Sequence, residues 1–398
     1  MKETRNLDPI LVIIFTVFID IIGYGIIIPL IAKYAQTFQA GPFSIGVLIA
    51  SFAIMQFFFS PLLGNASDKF GRKTILLLSL IISFIGFTIY SFANSFLLLL
   101  LSRIIAGMAT ERAIAQAYIA DLTDNKTRTK QMGKIGAAVG AGFIIGPALG
   151  GALSVFGLTV PGYLSMALTA LNILFVLFFL PEPRQNQKNP KQDAKKLSYT
   201  QGILDTIKKP LIGPILLILF IITFAFSTIP VILPLLSFDF YNFTTFDLSL
   251  IFIYIGIVQI VIQGFLIDRL TKKLGEEKLI IIGPLIMAIG ILFIPIIKNL
   301  LFFYFNNALL AAGFGIMNTA IPSLISKKAK LDQQGIYLGV ASSVASIANI
   351  PGPLLGGLLV DLGGIATPFL ISSILLLLSL VISCKVFSQC VLKKRNSH

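Results

Sequence analysis

Long apolar stretches separated by short polar segments recur along the whole chain. A run of about 20 apolar residues is the length that crosses the hydrocarbon core of a bilayer as an α-helix. A helix also satisfies its own backbone hydrogen bonds in lipid, and the alternating pattern of a membrane β-barrel does not occur here. We therefore predict twelve transmembrane helices, at residues 10–32, 44–66, 75–93, 96–120, 133–157, 161–180, 211–238, 246–267, 279–297, 300–325, 335–361 and 366–389.

One long polar segment divides these predicted helices into two sets of six. It is rich in Asn, Gln, Lys and Pro, a composition that does not enter lipid. The predicted fold class is an all-α integral membrane protein with two pseudo-symmetric six-helix bundles. The predicted boundaries are an N-terminal bundle at 1–180, a cytoplasmic linker at 181–210 and a C-terminal bundle at 211–398.

The composition agrees with this pattern. Of the 398 residues, 56% are hydrophobic and 12% are charged, whereas soluble domains carry about 25% charged residues. These values exclude a large soluble enzyme, a disordered chain and a secreted disulfide scaffold.

The basic residues predict how the chain is oriented. The net charge is +14, but nearly all Lys and Arg fall in segments on one side of the predicted helices, and only Lys33 and Lys298 lie on the other. Because basic loops stay on the cytoplasmic side, both termini are predicted to be cytoplasmic in a plasma (inner) membrane protein. The positive charge therefore indicates topology and contact with the lipid bilayer, and no nucleic-acid partner is predicted.

Residues that carry most enzyme chemistry are scarce. The single histidine is the last residue, His398, so the fold has no imidazole base and no histidine metal ligand. The two cysteines, Cys384 and Cys390, cannot form a disulfide framework or a thiolate metal site. There is no nucleotide-binding P-loop. We therefore predict a protein that is not an enzyme and that uses no metal and no cofactor.

Two motifs recur in the same order in both halves. Gly64 and Asp68 are each repeated 200 residues later, and Gly146-Pro147 recurs as Gly352-Pro353 after 206 residues. Each copy occupies the corresponding predicted helix of its half. The spacing indicates a duplication, and six helices per half give both halves the same orientation.

At these residues the chain resembles the major facilitator superfamily, and within it the drug:proton antiporters with twelve helices, which include tetracycline efflux proteins. The resemblance extends over the whole chain. It is carried by four segments: the loop signature at 64–73, the fourth-helix segment Leu101–Asp121, the fifth-helix antiporter segment Gly140–Gly151, and Asp20 to Pro29 in the first helix. The second loop departs from the signature by about four inserted residues before Gly275.

The resemblance implies a cytoplasmic gate. In such a gate Asp68 would bind the N-terminus of the eleventh predicted helix and Arg72 would pair with Asp121, which closes the cytoplasmic side. A basic turn without a switching role fits the same residues. The candidate gate residues are Gly64, Asp68, Gly71, Arg72, Lys73, Asp121 and Asp268.

Small residues give the fifth predicted helix a face that can pack closely. We expect Gly133, Gly136, Gly140, Pro147 and Gly151 to lie close to this face. Small faces let helices approach in lipid, so a purely structural role is open. The resemblance implies that this segment marks exporters. Its candidate residues are Gly140, Gly146, Pro147, Gly150 and Gly151.

Four charged residues fall inside predicted membrane helices. Asp20 lies roughly 15 Å into the first helix, near the middle of a bilayer core about 30 Å thick. Arg103 and Glu111 are expected two turns apart on one face of the fourth helix, and Arg112 points about 100° away. Two acids and two bases suggest pairing across helices. Asp20 and Glu111 are the candidate proton carriers and Arg103 their modulator, and a static charge network is the alternative.

Polar side chains inside the helices predict a substrate cavity. Amides and hydroxyls avoid lipid, although many such groups only bond neighbouring helices. The candidate substrate-binding residues are Tyr24, Gln56, Arg112, Gln116, Gln259, Gln263, Asn307 and Asn318.

Together these features predict a monomeric secondary transporter that works by alternating access. Its partners are protons and a small amphipathic or cationic compound, which it exports by antiport. A proton-coupled importer or uniporter of a nutrient on the same fold is the first alternative. A membrane receptor or assembly factor that does not transport is the second.

Overall fold

The computed structural model describes residues 7–123, 125–183, 209, 211–328 and 334–395, and within them every regular element is a helix. Before the linker the helices are α1 Pro9–Ile27, α2 Ile31–Thr37, α3 Pro42–Phe70, α4 Arg72–Ser91, α5 Phe96–Gly107, α6 Glu111–Leu122, α7 Asn125–Ser154 and α8 Val160–Phe179. After it they are α9 Ile212–Ser227, α10 Ile229–Tyr241, α11 Thr245–Val261, α12 Ile267–Leu274, α13 Glu276–Phe293, α14 Leu300–Lys328, α15 Gln334–Ala348, α16 Pro351–Gly363 and α17 Thr367–Arg395. A π-helical turn, Ile262–Leu266, joins α11 to α12.

Each of the twelve predicted membrane helices corresponds to a helix or a helix pair. Ten stretches of the described residues are long and apolar enough to cross a membrane. The remaining two are the pair α5 and α6, which a break divides, and α13, whose first turn is charged. The predicted all-α membrane fold is therefore confirmed.

The fourth predicted helix is not continuous, which corrects the expectation for residues 96–120. The α-helix stops at Gly107 and resumes at Glu111, and Thr110 between them has a non-helical backbone (φ −143°, ψ 42°). The Thr110 N–H donates to Ser79 Oγ at 2.7 Å. A side chain of α4 thus replaces the carbonyl that the helix would have supplied. Arg103 and Glu111 consequently do not share one helical face.

The backbones of α1 and α7 are in direct contact, with no side chain between them. A Cβ at Gly146 would lie 2.7 Å from Gly25 Cα, and one at Gly25 would lie 3.2 Å from Pro147 Cδ. Gly142 and Gly150, one turn on either side of Gly146, are crowded by Ile21 and by the backbone of the next turn of α1. Glycine is required along this line because any side chain would force the helices apart.

This glycine line differs from the predicted one. A Cβ at Gly133 or at Gly136 meets no atom of α1 within 4 Å, and Gly140 is partly exposed. Gly151 faces Ser249, which belongs to the same compact unit. The contact follows spacings of four residues from Gly142, a register that the motif alone does not specify.

The second half repeats this helix contact. A Cβ at Gly352 of α16 would lie 2.8 Å from the carbonyl oxygen of Phe224 in α9, and one at Gly356 would lie 3.3 Å from Thr228 Cβ. The repeated Gly-Pro motifs therefore pack against the first helix of their own half in both cases, as a duplication requires.

The described residues form two compact units. The first lies within Met1–Asn186 together with Ser237–Ile253, and the second within Gln187–Leu236 together with Tyr254–His398. In the first unit a buried cluster joins α1, α4, α6 and α8 through Val17, Leu80, Tyr118 and Val176. The bundle boundaries at 1–180 and 211–398 stay a prediction, and most of the linker at 181–210 lies outside the described residues.

Candidate transport site

The helix break places a carboxylate inside the first unit. Glu111 is the first residue of α6 and is 4% exposed. Its Oε1 accepts a hydrogen bond from Ser83 Oγ of α4 at 2.8 Å. Ser79, one turn earlier on α4, holds the backbone of the break. Two serines one turn apart therefore fix the position of this acid.

Asp20 lies beside Glu111. It is partly buried on α1, which packs against α6, and the two carboxylates are near enough for their charges to repel one another. Within the described residues, neither acid has a basic side chain within the 4.0 Å of an ion pair. The structure thus brings the two candidate proton carriers together and leaves their charge without a counter-ion.

Arg103 contacts aromatic rings in place of a carboxylate. Its guanidinium carbon lies 4.7 Å from the ring centroid of Phe52 and 5.7 Å from that of Tyr24. The two rings stack at 5.0 Å, and Phe143 meets Tyr24 edge-on at 6.1 Å. Arg103 is 4% exposed, and its Nε has no hydrogen-bond partner among the described residues. Cation–π attraction therefore stabilises this buried charge.

The expected pairing of four intramembrane charges is wrong for the described part of the chain. Asp20, Arg103, Glu111 and Arg112 form no ion pair with one another there. The break between α5 and α6 turns Glu111 toward α4, while Arg103 stays with the rings of α1 and α3. The balance of two acids and two bases within predicted membrane helices had suggested the pairing.

Several predicted substrate residues of the first unit are exposed. Arg112 and Gln116 are one turn apart on α6 and both exposed, Gln56 is exposed on α3, and Tyr24 is partly buried. Placing a charged side chain at the centre of a membrane helix in contact with hydrocarbon costs about 2.5–3.5 kcal/mol, and an amide also avoids hydrocarbon. These side chains therefore indicate a surface that water reaches.

The predicted residues of the second unit divide by burial. Gln259 and Gln263 are partly buried, with Gln263 in the π-helical turn, and Asn318 is exposed. Asn307 is fully buried, and its Nδ2 donates to the Phe303 carbonyl of its own helix at 2.9 Å.

An aromatic pair in this unit was not predicted. The rings of Phe226 in α9 and Phe314 in α14 stack at 3.7 Å between centroids, 9° from parallel. Phe314 lies one turn before Asn318, so a stacked apolar surface and an amide are neighbours on α14. Nothing in the sequence distinguishes these two rings from the other 32 of the 34 phenylalanines.

Arg72 is the centre of the first loop motif. Its Nε lies 2.7 Å from Asp121 Oδ2, its Nη2 lies 2.5 Å from Asp68 Oδ1, and its Nη1 donates to Ser67 Oγ at 2.6 Å. The implied pairing of Arg72 with Asp121 is therefore present. The guanidinium is largely buried while both carboxylates are exposed, so Arg72 gathers α3 and α6 at the start of α4.

The segment after α8 also reaches this loop. Glu182 Oε2 accepts from the Lys73 N–H at 3.0 Å, which caps the first turn of α4. Gly71 has φ +99°, and a Cβ there would lie 2.9 Å from the Glu182 carboxyl. Lys73 Nζ donates to the Leu177 carbonyl at 2.8 Å. The glycine is required both by its backbone angle and by the approach of Glu182.

The second loop has its own ion pair. Glu276, the first residue of α13, accepts from Lys327 Nζ at 2.5 Å and from Ser323 Oγ at 3.0 Å. Partial burial opposes ionisation of Glu276, but these hydrogen bonds and the Lys327 charge outweigh it, so the pKa of Glu276 lies below its ordinary value. The next residue, Glu277, pairs with Lys328 at 3.2 Å. Asp268, the predicted gate residue of this loop, is exposed on α12.

Besides the aromatic rings and the serines that bind Arg72 and Glu276, a further five polar or charged residues at these sites were not predicted from the sequence. A signal existed for two groups. Ser79 and Ser83 lie one turn apart in an apolar stretch of α4. The ion pair of Glu276 with Lys327 follows that of Arg72 with Asp121 at offsets of 204 and 206 residues, close to the offsets of the repeat. The five are Ser79, Ser83, Glu182, Glu276 and Lys327.

Comparison with known proteins identifies relatives along the whole chain. A sequence model of the Major Facilitator Superfamily matches residues 13–273 and 264–395. Multidrug resistance protein 2 of Bacillus subtilis (strain 168) is 30% identical over 386 residues, 96% of each chain. Tetracycline resistance protein, class H, of Pasteurella multocida is 32% identical over 361 residues, 88% of each chain.

Solved structures share the fold at lower identity. The crystal structure of the nucleoside transporter NupG has a TM-score of 0.77 and 17% identity, covering 96% of this chain and 99% of that one. At this identity the likeness concerns the arrangement of the helices alone.

Proposed function

Because this chain belongs to the Major Facilitator Superfamily and is a multi-pass membrane transporter, we propose that it is a proton-coupled antiporter that exports small amphipathic or cationic compounds by alternating access. The carrying observation is the pair of neighbouring carboxylates, Asp20 within α1 and Glu111 at the start of α6, that have no basic partner at ion-pair distance among the described residues. The multidrug and tetracycline resistance proteins among its relatives support the export of drug-like compounds.

Asp20 and Glu111 are suited to exchange a proton for a cation. Two neighbouring carboxylates that are both ionised repel each other, and either a proton or a positively charged substrate removes that repulsion. Ser83 orients Glu111 through its hydroxyl, so the acid is already placed before a ligand arrives. A proton that binds from outside would release the substrate, and substrate that binds from inside would release the proton.

Arg103 modulates this site in the proposal. A guanidinium held over Tyr24 and Phe52 adds positive potential near the acids without neutralising either of them. Loss of a proton from the acids would draw Arg103 toward them and away from the rings. The aromatic contact thereby becomes one of two alternative partners for the same charge.

The substrate would contact side chains that reach water inside the helices. In the first unit these are Tyr24, Gln56, Arg112 and Gln116, and in the second unit Gln259, Gln263 and Asn318. The remaining candidate, Asn307, is fully buried on α14 and would have to turn from the Phe303 carbonyl to reach a substrate. Amphipathic compounds suit such a mixture because rings and methylene groups pack on apolar walls while a few amides fix the orientation. Phe226 and Phe314 supply a flat apolar surface of this kind.

The loops would act as the cytoplasmic gate of a monomer in the plasma membrane. In this proposal Gly64, Asp68, Gly71, Arg72, Lys73, Asp121 and Asp268 hold the gate, and Gly140, Gly146, Pro147, Gly150 and Gly151 let α7 pack and bend. The ion pairs of Arg72 support it, because they tie three helices to one side chain that a small rotation can release.

Transport by purified protein in liposomes tests the proposal. An imposed inward proton gradient should drive movement of tetracycline, or of a fluorescent lipophilic cation such as ethidium, in the opposite direction. Glu111→Gln should abolish the response to the gradient while substrate binding remains. Asp239→Asn, which removes an exposed carboxyl at the end of α10, is the matched control and should transport normally.

Two results would contradict the proposal. Flux that ignores the proton gradient in the unmodified protein would exclude proton coupling. Substrate movement along the direction of the protons would identify an importer, the alternative on the same fold.

A further inference from the structure

A groove opens between α1 and α7 on the side of their N-terminal ends. The backbones of the two helices meet from Gly142 onward. Nearer their N-terminal ends Ile135 still packs in the buried cluster with Ile13, but a Cβ at Gly133 or Gly136 would meet no atom within 4 Å. The resulting cavity has a volume of about 550 Å³ and is lined by α1 from Asp8 to Phe18 and by α7 at Lys134, Ala137 and Ala138. The small residues of α7 leave room that larger side chains would fill.

The walls of this α1–α7 groove are apolar and exposed. Leu11 is 56% exposed and Phe15 is 46% exposed. Phe15 meets Phe175 edge-on at 5.4 Å, which adds a second ring beside the groove. A surface of this kind, in a chain that spans a bilayer, is covered by hydrocarbon in preference to water.

Two opposite charges lie at the mouth of the groove. Asp8 precedes α1 and caps it by accepting the Ile10 N–H at 3.0 Å, and Lys134 is exposed on α7. Both line the same cavity, yet neither belongs to an ion pair within the described residues. A ligand that satisfies both must carry a positive and a negative group.

The groove extends along α1 far enough to hold both the headgroup and part of an acyl chain of a lipid. Asp8 stands at the start of the first membrane helix, where the headgroups lie, and Phe18 is roughly 15 Å further along that helix. The cavity therefore runs from the level of the headgroups into the hydrocarbon. A soluble zwitterion would leave the apolar part empty.

We propose that the α1–α7 groove binds a zwitterionic phospholipid with a primary ammonium, of the phosphatidylethanolamine type. The phosphate lies against Lys134, the ammonium faces Asp8, and one acyl chain runs along Leu11 and Phe15. An anionic phospholipid would satisfy Lys134 but would meet the Asp8 carboxylate unfavourably. This assignment requires only the membrane location of the chain and does not depend on proton coupling.

Fluorescence quenching gives a direct test, because the chain contains no tryptophan. Leu11→Trp places a single fluorophore in the groove of the full-length protein. Phosphatidylethanolamine with brominated acyl chains should quench it at lower mole fraction than brominated phosphatidylglycerol or phosphatidylcholine. Phe178→Trp, at a more exposed apolar position on α8, reports bulk lipid and should show no headgroup preference.

Charge variants then identify the headgroup contacts. In the Leu11→Trp protein, Lys134→Gln and Asp8→Asn should each weaken the preference about two- to fivefold, the effect of one exposed ion pair. Asn still caps a helix, so Asp8→Asn removes charge without removing the cap. Lys130→Gln, an exposed lysine one turn earlier on α7, should leave the preference intact.

Equal quenching by the three headgroups would overturn the proposal, as would a stronger effect of phosphatidylglycerol. Mass spectrometry of the unmodified protein released from native membranes checks the same point without a substitution. Retained phosphatidylethanolamine that is lost in Lys134→Gln but not in Lys130→Gln supports the groove, and equal retention in both contradicts it.

Discussion

The loops after the second predicted helix of each half make the same turn and close it with opposite charges. Gly71 and Gly275 lie 204 positions apart, and both have positive φ, +99° and +76°. The next residue begins a helix in both halves, but it is Arg72 in the first and Glu276 in the second. Arg72 pairs with Asp121, and Glu276 pairs with Lys327, which lies 206 positions after Asp121.

The difference shows how one turn can be stabilised in two ways. The N-terminus of a helix favours negative charge, so Glu276 suits its position while Arg72 opposes it. The first loop compensates with Glu182, whose carboxylate caps the start of α4, and with two acids and a serine around Arg72. In the second loop Glu276 binds one lysine and one serine, and Glu277 beside it pairs with Lys328. What the duplication kept is the turn and the bridge between helices, and not the sign of the charges.

Reversing the first ion pair should have the largest effect. Arg72→Glu places three acids together, and we expect it to cost about 2 kcal/mol of stability because two partly exposed ion pairs are lost and like-charge repulsion is added. Adding Asp121→Lys copies the polarity of the second loop and should recover about half of that loss. Thermal unfolding of the detergent-solubilised protein measures both.

If the double variant is no more stable than Arg72→Glu, the first loop cannot use the reversed ion pair of the second loop. The two loops are then not interchangeable in the sign of their charges. Lys69→Glu, which reverses an exposed charge near the end of α3, controls for the change in net charge and should cost little.

The two glycines should differ when each is replaced by alanine. A positive φ costs a non-glycine residue about 1–2 kcal/mol in either loop. At Gly71 a Cβ would also meet the Glu182 carboxyl at 2.9 Å, whereas at Gly275 the nearest atom is 3.9 Å away. Gly71→Ala should therefore lower the unfolding temperature more than Gly275→Ala. Adding Glu182→Ala to both should make them similar, and a difference that persists would show that Glu182 is not the cause.

The smallest effect concerns pH and the second loop. The fold lowers the pKa of Glu276, so its contribution is present above the ordinary glutamate pKa of about 4.3 and is lost as the pH falls through the lowered value. Between pH 7 and pH 3 the unmodified protein should lose roughly 1 kcal/mol more stability than Glu276→Gln. Unfolding temperatures across this range give the difference. Parallel curves for the two proteins would show that the ion pair contributes nothing.

Much of the fold could be predicted from the sequence, since length and apolarity identify a membrane helix locally. The all-α membrane fold was predicted correctly from such patterns, and the family from the resemblance that the loop and helix motifs carry. The pairing of Arg72 with Asp121 was implied by the resemblance and is present. The second bridge, from Glu276 to Lys327, was not predicted because its charges are reversed relative to those of Arg72 and Asp121. A repeat of identical residues does not reveal such a pair.

For the candidate site, the sequence indicated the two acids but not the contacts that hold them. Asp20 and Glu111 were recognised because a carboxylate in a membrane helix is rare. The partner of Glu111 is Ser83, and the partners of Arg103 are aromatic rings. Neither follows from spacing, because the break at residues 108–110 changes the direction of α6 relative to α5.

The sequence by itself therefore indicated which segments are apolar enough to enter the membrane and which few charges lie within them. Whether a segment enters the lipid depends on its own residues, so it can be predicted from the sequence of that segment alone. Only the tertiary structure decided that α1 and α7 meet along Gly142, Gly146 and Gly150, and that α5 ends before Glu111. A helix that is apolar on every side carries no pattern to say which face meets a neighbour, so that choice is made by packing between distant segments.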